Sequence, residues 1–205
     1  MATLHQAIAV LHAQYGVPHV IITSVSLPDT TPPAAAASPA APKPTTYLSV
    51  VGSTRTSAAR PRAFKIVFPA YDCHFNGTGD MFAALMVVRL REAVSSSSTP
   101  VGAAPSWVSP DEVPPAELPL ARAAELVLAS MHEVLGKTCE AMEAELSAAR
   151  RTGSGSGSGP EAAGETEAEA EKRWHLLRSR AAELRLVRNL DVMRWPKVAF
   201  RATEM

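Results

Sequence analysis

Asn76-Gly77-Thr78-Gly79-Asp80 runs directly into the apolar stretch Met81-Phe82-Ala83-Ala84-Leu85-Met86-Val87-Val88. No other segment constrains the fold as tightly. Two glycines around a threonine make a bend, and an aspartate beside the first apolar residues marks the start of a helix. The helix has almost no polar face before Arg89, Arg91 and Glu92, so burial within a larger α/β body is expected. The tetrapeptide Gly-Thr-Gly-Asp has two readings. It is an ordinary loop-to-helix cap, or it aims the free N–H groups of a helix N-terminus at an anion, with Asp80 alongside to take a proton. The second combination suits phosphoryl transfer to an alcohol.

Composition narrows the alternatives. The formal net charge of the 205 residues is zero, which gives no reason to expect a nucleic-acid partner or an acidic membrane. No run reaches the roughly 18 apolar residues that a membrane span needs, and the first residues lack a signal-peptide pattern. The chain therefore reads as a soluble, cytoplasmic protein. Cys73 and Cys139 lack zinc-ligand spacing and read as reduced thiols, with Cys73 as a small packing residue. No Walker-type phosphate loop occurs.

Along the chain, residues 3–15 make an amphipathic helix closed by Gly16 and Pro18, and His19-Val20-Ile21-Ile22-Thr23-Ser24 is a short apolar strand of the kind buried in parallel sheets. Residues 47–53 and 63–68 read as an antiparallel hairpin ended by Pro69. A long helix is expected from Leu120 to about Arg150, and a terminal strand from Val198 to Ala202. Low-complexity loops fall at about 28–46, 95–118 and 151–171; the last, with its Gly-Ser run and acidic tract, is expected to be disordered. His74 is expected to face solvent, and His12, His132 and His175 to sit on helices without partners. Lys43, Arg55, Arg60 and Arg62 read as solvated charges.

In this order the elements resemble the C-terminal half of the pyridoxal kinase family, of the ribokinase-like superfamily, in a fungal-type form with loop insertions. The resemblance rests on Val20-Ile21-Ile22-Thr23-Ser24-Val25-Ser26-Leu27-Pro28, Tyr47–Ser53, Gly77-Thr78-Gly79-Asp80-Met81-Phe82-Ala83-Ala84 and the tail with Glu183–Arg188 and Arg201-Ala202-Thr203. It implies an α/β fold over residues 1–205: part of a three-layer ribokinase-like body, with a mostly parallel central sheet, an antiparallel hairpin and flanking helices. It also implies transfer of the γ-phosphoryl group of ATP to the 5′-hydroxymethyl of pyridoxal, pyridoxine or pyridoxamine. By resemblance Asp80 is the base, and Gly77, Thr78 and Gly79 form the anion hole. Thr23, Ser24, Tyr71, Asp72 and Cys73 lie along the ATP site. Thr23 also matches a position for a monovalent cation, K+ or Na+, and Mg2+ accompanies ATP. Full-length relatives are expected to be homodimers.

The strands that should precede residue 3 are absent from this sequence. A chain of this extent is therefore expected to expose the edge of the strand at 20–23, to be poorly soluble or partner-dependent, and to have little kinase activity alone. Two alternatives remain: a related hydroxymethylpyrimidine-type kinase, and a non-catalytic interaction fragment.

Overall fold

The structure is a computed structural model that describes residues 2–27, 46–97, 100–154 and 166–205. Its elements are α1 (Ala2–Ala13), β1 (His19–Val25), β2 (Tyr47–Arg55), β3 (Pro61–Pro69), α2 (Thr78–Ser95), α3 (Pro119–Ser154), α4 (Glu167–Ala181), α5 (Leu190–Arg194) and β4 (Ala202–Glu204). The strands form one sheet in the order β1-β2-β3-β4. Most of the loop expected at 28–46 lies outside the described residues.

β2 is buried along almost its whole length, because both faces of the sheet are covered. Successive side chains point to opposite faces, so Val50 joins one core and Val51 the other. On one side Ile8 of α1 packs with Val20 and Val51. On the other, Phe64 and Ile66 of β3 meet Met81, Phe82 and Met86 of α2 and Ala124, Val127 and Val134 of α3. These helices on both faces make the three layers that the sequence predicts. Gly52 is opposite Phe64 in the β2–β3 ladder, and a Cβ there would lie 2.2 Å from the Phe64 ring. Glycine at this position lets the ring lie across the neighbouring strand.

The β2–β3 hairpin matches expectation, with Arg55 paired to Pro61 at its turn and Tyr47 to Pro69 at its open end. The pairing sense of the sheet does not. All pairings between the named strands are antiparallel, whereas a mostly parallel sheet was expected. The only parallel contact among the described residues is the isolated bridge between Asn76 and Glu183. The short turn at 56–60 can join only antiparallel neighbours, and an apolar run alone does not distinguish a parallel from an antiparallel buried strand.

Three further expectations need correction. α2 is buried on one side only: Val87 and Val88 are 72% and 53% exposed. Its uniform apolarity thus did not signal burial all round. The end of the acidic stretch, from Glu167 to Glu171, is helical rather than disordered. Thr166 and Glu169 form a reciprocal capping box at the start of α4, satisfying two N–H groups that the helix start leaves open. Residues 155–165 lie outside the described residues. The terminal strand occupies Ala202–Glu204 rather than 198–202, held by the buried carboxylate of Glu125, which accepts from the Ala202 N–H and from Arg201, each at 2.9 Å.

The Ser/Pro-rich segment after α2 is structured too. It contains short 3-10 turns at Val101–Ala103, Pro105–Trp107 and Pro115–Glu117, and its residues 109–113 meet Arg62, which is buried rather than solvated. Its guanidinium donates to the carbonyls of Ser109, Pro110, Val113 and Arg55. A fixed fork of donors can organise several carbonyls at once, which is how a low-complexity loop acquires a single shape here.

Candidate functional site

β1 ends irregularly. Ile22 pairs with Val51 and Val25 with Ser49, so three steps along β1 match two along β2. That is a β-bulge at Thr23-Ser24, and Ser24 has φ 57. A bulge re-aims side chains, and a non-glycine residue held in the left-handed region is a strain that folds concentrate at functional positions. Thr23 and Ser24 line a cavity of about 290 Å³.

The start of α2 also lines that cavity, through Thr78 and Gly79. Gly77 has φ 79 and caps the helix without a side-chain hydrogen bond; a left-handed turn here is far easier for glycine than for any residue with a Cβ. The first helical bond runs from the Met81 N–H to the Gly77 carbonyl at 3.0 Å. The N–H groups of Thr78, Gly79 and Asp80 therefore lie at the open, electropositive end of the helix. A Cβ on Gly79 would meet nothing within 4 Å. Packing therefore does not require glycine there, whereas close approach of a ligand would.

The remaining walls come from β2 and β3 (Leu48, Val50, Phe68, Pro69), the segment after β3 (Ala70, Tyr71, Cys73, Phe75), Phe82 of α2, and Leu128, Met131, His132 and Leu135 of α3. The lining is largely apolar, with Thr23, Ser24 and Thr78 among its few polar side chains. This pattern suits a ligand with a flat apolar body and an anionic tail.

Of the predicted site residues, Thr23, Ser24, Tyr71, Cys73, Thr78 and Gly79 meet at this cavity. Gly77 shapes the turn behind it. Asp72 is exposed and does not line it. Asp80 is in the first turn of α2, exposed, and also outside the cavity lining. The bulge separates the Thr23-Ser24 wall from the regular part of β1.

Two histidines depart from expectation. His132 is not partnerless: its ring stacks on Tyr71 with centroids 5.0 Å apart and meets Phe200 edge-on. The Tyr71 hydroxyl donates to the His132 carbonyl at 3.0 Å. A Cβ at Gly136 would lie 2.7 Å from that hydroxyl, which explains a glycine inside α3 despite its helix cost of about 1 kcal/mol. Burial pushes the Tyr71 phenol up to about 12 and the His132 imidazole down. His12 is fully buried, with its ring nitrogens 2.6 Å from the Val17 carbonyl and 2.9 Å from the Ser53 hydroxyl; it holds α1 to the sheet. His132 could have been found from sequence, because Leu128, Met131, His132 and Leu135 follow helical spacing along one face.

Among the described residues no group of three or more His, Cys, Asp or Glu side chains could hold a metal ion, and no helix is long and apolar enough to cross a membrane.

No family model matches this chain, and no curated protein matches it in sequence. Solved structures do match. Pyridoxal kinase from Leishmania donovani in complex with ADP is similar over 100% of this chain and 45% of that one, with a TM-score of 0.56 and 19% identity. The same kinase with ADP and ginkgotoxin gives a TM-score of 0.53 at 19% identity, again over 100% of this chain and 45% of that one. This chain thus spans less than half the length of the kinases it resembles. Its fold is similar to part of the fold of that kinase.

Proposed function

We propose that this chain is the nucleotide-handling portion of an ATP-dependent kinase that phosphorylates the 5′-hydroxymethyl of pyridoxal, pyridoxine or pyridoxamine. The observation that carries the reading is the convergence of the Thr23-Ser24 bulge and the open N-terminus of α2 on one apolar cavity. An adenine fits the apolar part, between Tyr71, Phe75 and the α3 wall. The phosphates fit at the start of α2, where the N–H groups of Thr78, Gly79 and Asp80 and the Thr78 hydroxyl supply donors.

Phosphoryl transfer of this type needs positioning and charge stabilisation more than covalent chemistry. Backbone N–H groups at a helix start provide both without reorganising during the reaction. Asp80 lies outside the cavity lining but in the same first turn of α2, next to the N–H groups that would hold the γ-phosphate. Asp80 would then take the hydroxyl proton as the oxygen attacks the γ-phosphorus. In this reading Mg2+ arrives on the nucleotide phosphates, as this ion usually does. A monovalent cation at Thr23 and a homodimeric whole enzyme belong to the same reading.

The chain spans 45% of the kinase it resembles, so nucleotide binding with slow turnover is the expectation. The test is calorimetric titration of residues 1–205 with ATP·Mg, alongside an assay for phosphorylated pyridoxal and a parallel assay with hydroxymethylpyrimidine. Binding of ATP with a preference for pyridoxal in whatever turnover occurs supports the reading. No nucleotide binding by soluble, folded chain overturns it, and a preference for hydroxymethylpyrimidine reassigns the acceptor.

A further inference from the structure

Cys73 is half-buried on the irregular segment between β3 and α2, and it lines the cavity. Cys139 is buried on α3, one turn beyond Leu135 on the same helix face. Their sulfurs are 2.9 Å apart, with the Cys139 thiol donating to Cys73. Disulfide formation requires about 2.05 Å, a further approach of less than one ångström that a non-helical segment can supply. These are the only two cysteines in the sequence, 66 positions apart, and the fold brings them together beside the cavity.

We propose that Cys73 and Cys139 are a site of oxidative modification, at which a hydroperoxide converts the two thiols into a disulfide that ties the β3–α2 segment to α3. The chemistry balances in two steps. The Cys73 thiolate attacks a peroxide oxygen, the O–O bond breaks, and Cys73 becomes a sulfenic acid while hydroxide leaves and takes up a proton. The Cys139 sulfur then attacks the Cys73 sulfur. An S–S bond forms, the S–O bond breaks, and the expelled hydroxide leaves as water with the Cys139 proton. With hydrogen peroxide, two thiols and one oxidant give one disulfide and two waters. Burial and the hydrogen bond to Cys73 both push the Cys139 thiol up. The first attack therefore falls to Cys73, which has access through the cavity, and Cys139 resolves.

The consequence for the site rests on the nucleotide reading above. Most walls of the cavity stand on strands and helices; Tyr71, Cys73 and Phe75 stand on the segment that can adapt to a ligand. Cross-linking Cys73 to α3 fixes that wall in its ligand-free position, so oxidation should weaken ATP binding.

The full chain, treated with stoichiometric hydrogen peroxide, should become a monomer two hydrogens lighter by intact mass, with no thiol left for iodoacetamide, and dithiothreitol should restore both thiols. Cys139→Ala should yield no such species. Oxygen added to Cys73 without loss of the two hydrogens, a disulfide between two chains, or two thiols that remain alkylatable would overturn the proposal. Oxidised wild type should also bind a fluorescent ATP analogue roughly threefold or more weakly than reduced. Equal affinity would overturn the coupling to the site. If neither form binds the analogue, the nucleotide reading fails, while the mass measurement still decides the dithiol.

Discussion

Gly79→Ala should move stability and ligand binding in opposite directions. Gly79 is the second helical residue of α2, and a Cβ there meets nothing within 4 Å. Alanine in place of a helical glycine therefore brings no clash and removes backbone freedom from the unfolded chain. The gain is about 0.5–1 kcal/mol, or roughly 1–4 °C in Tm for a chain of this size. The same methyl group would occupy the space in front of the free N–H groups. Losing one charge-assisted hydrogen bond there costs about 1.5–3 kcal/mol, roughly a tenfold to hundredfold loss of ATP affinity. Differential scanning fluorimetry and a nucleotide titration on the same sample measure both. Gly77→Ala is the control: with φ 79 at that position, a Cβ costs about 1–2 kcal/mol, so this variant should melt lower. A Gly79→Ala protein that melts higher but binds ATP as tightly as wild type would refute the reasoning, because the open space would then serve no ligand. One that melts lower would make Gly79 structural.

The other predictions concern the surroundings of the cavity. The Tyr71 phenol is pushed up to about 12, so the folded state holds a proton that the unfolded chain releases above pH 10; this stability is complete below pH 10 and is lost as pH rises through 12. After discounting for partial solvent exposure it amounts to about 1 kcal/mol. Tyr71→Phe should flatten alkaline unfolding followed by circular dichroism, and an unchanged profile would contradict the assignment. The His132 and His19 imidazoles are both pushed down, mainly by burial, so their contribution is present above the ordinary histidine value and is lost as pH falls through the lowered folded values. His132→Gln should reduce that acid sensitivity in urea titrations between pH 7 and 5; equal sensitivity would place its source elsewhere. Arg62→Met should destabilise the chain by about 2–4 kcal/mol by orphaning buried carbonyls. A loss below about 0.5 kcal/mol in a urea titration would mean that the three hydrogen bonds to Ser109, Pro110 and Val113 do not organise the 109–113 segment.

Local signals made the hairpin and the glycine turn legible in the sequence. The turn-rich segment between them and Pro69 marked β2 and β3, and Gly77 marked a bend before an apolar helix. The pairing sense of the sheet was not legible, because a continuously apolar strand looks the same in either direction. Nor was the bulge at Thr23-Ser24, whose register is set by pairing with Ser49 and Val51 across the sheet. The exposed flank of α2 shows the limit of composition: Val87 and Val88 are as apolar as Met81 and Phe82 but face outward. The role of Arg62 was hidden because its four acceptors include carbonyls up to 51 positions away. His132 and Cys139 lay within reach of helical periodicity, yet their significance depends on Tyr71 and Cys73 arriving from another element.

The central claim is that the open end of α2 and the bulge of β1 hold the phosphates of one nucleotide. Titrating isotopically labelled chain with ATP·Mg while following backbone amide resonances tests it most directly. The account predicts saturable shifts concentrated at Gly77–Asp80 and at Thr23 and Ser24. Saturable binding with those amides unmoved, and the shifts elsewhere on the protein, would contradict it.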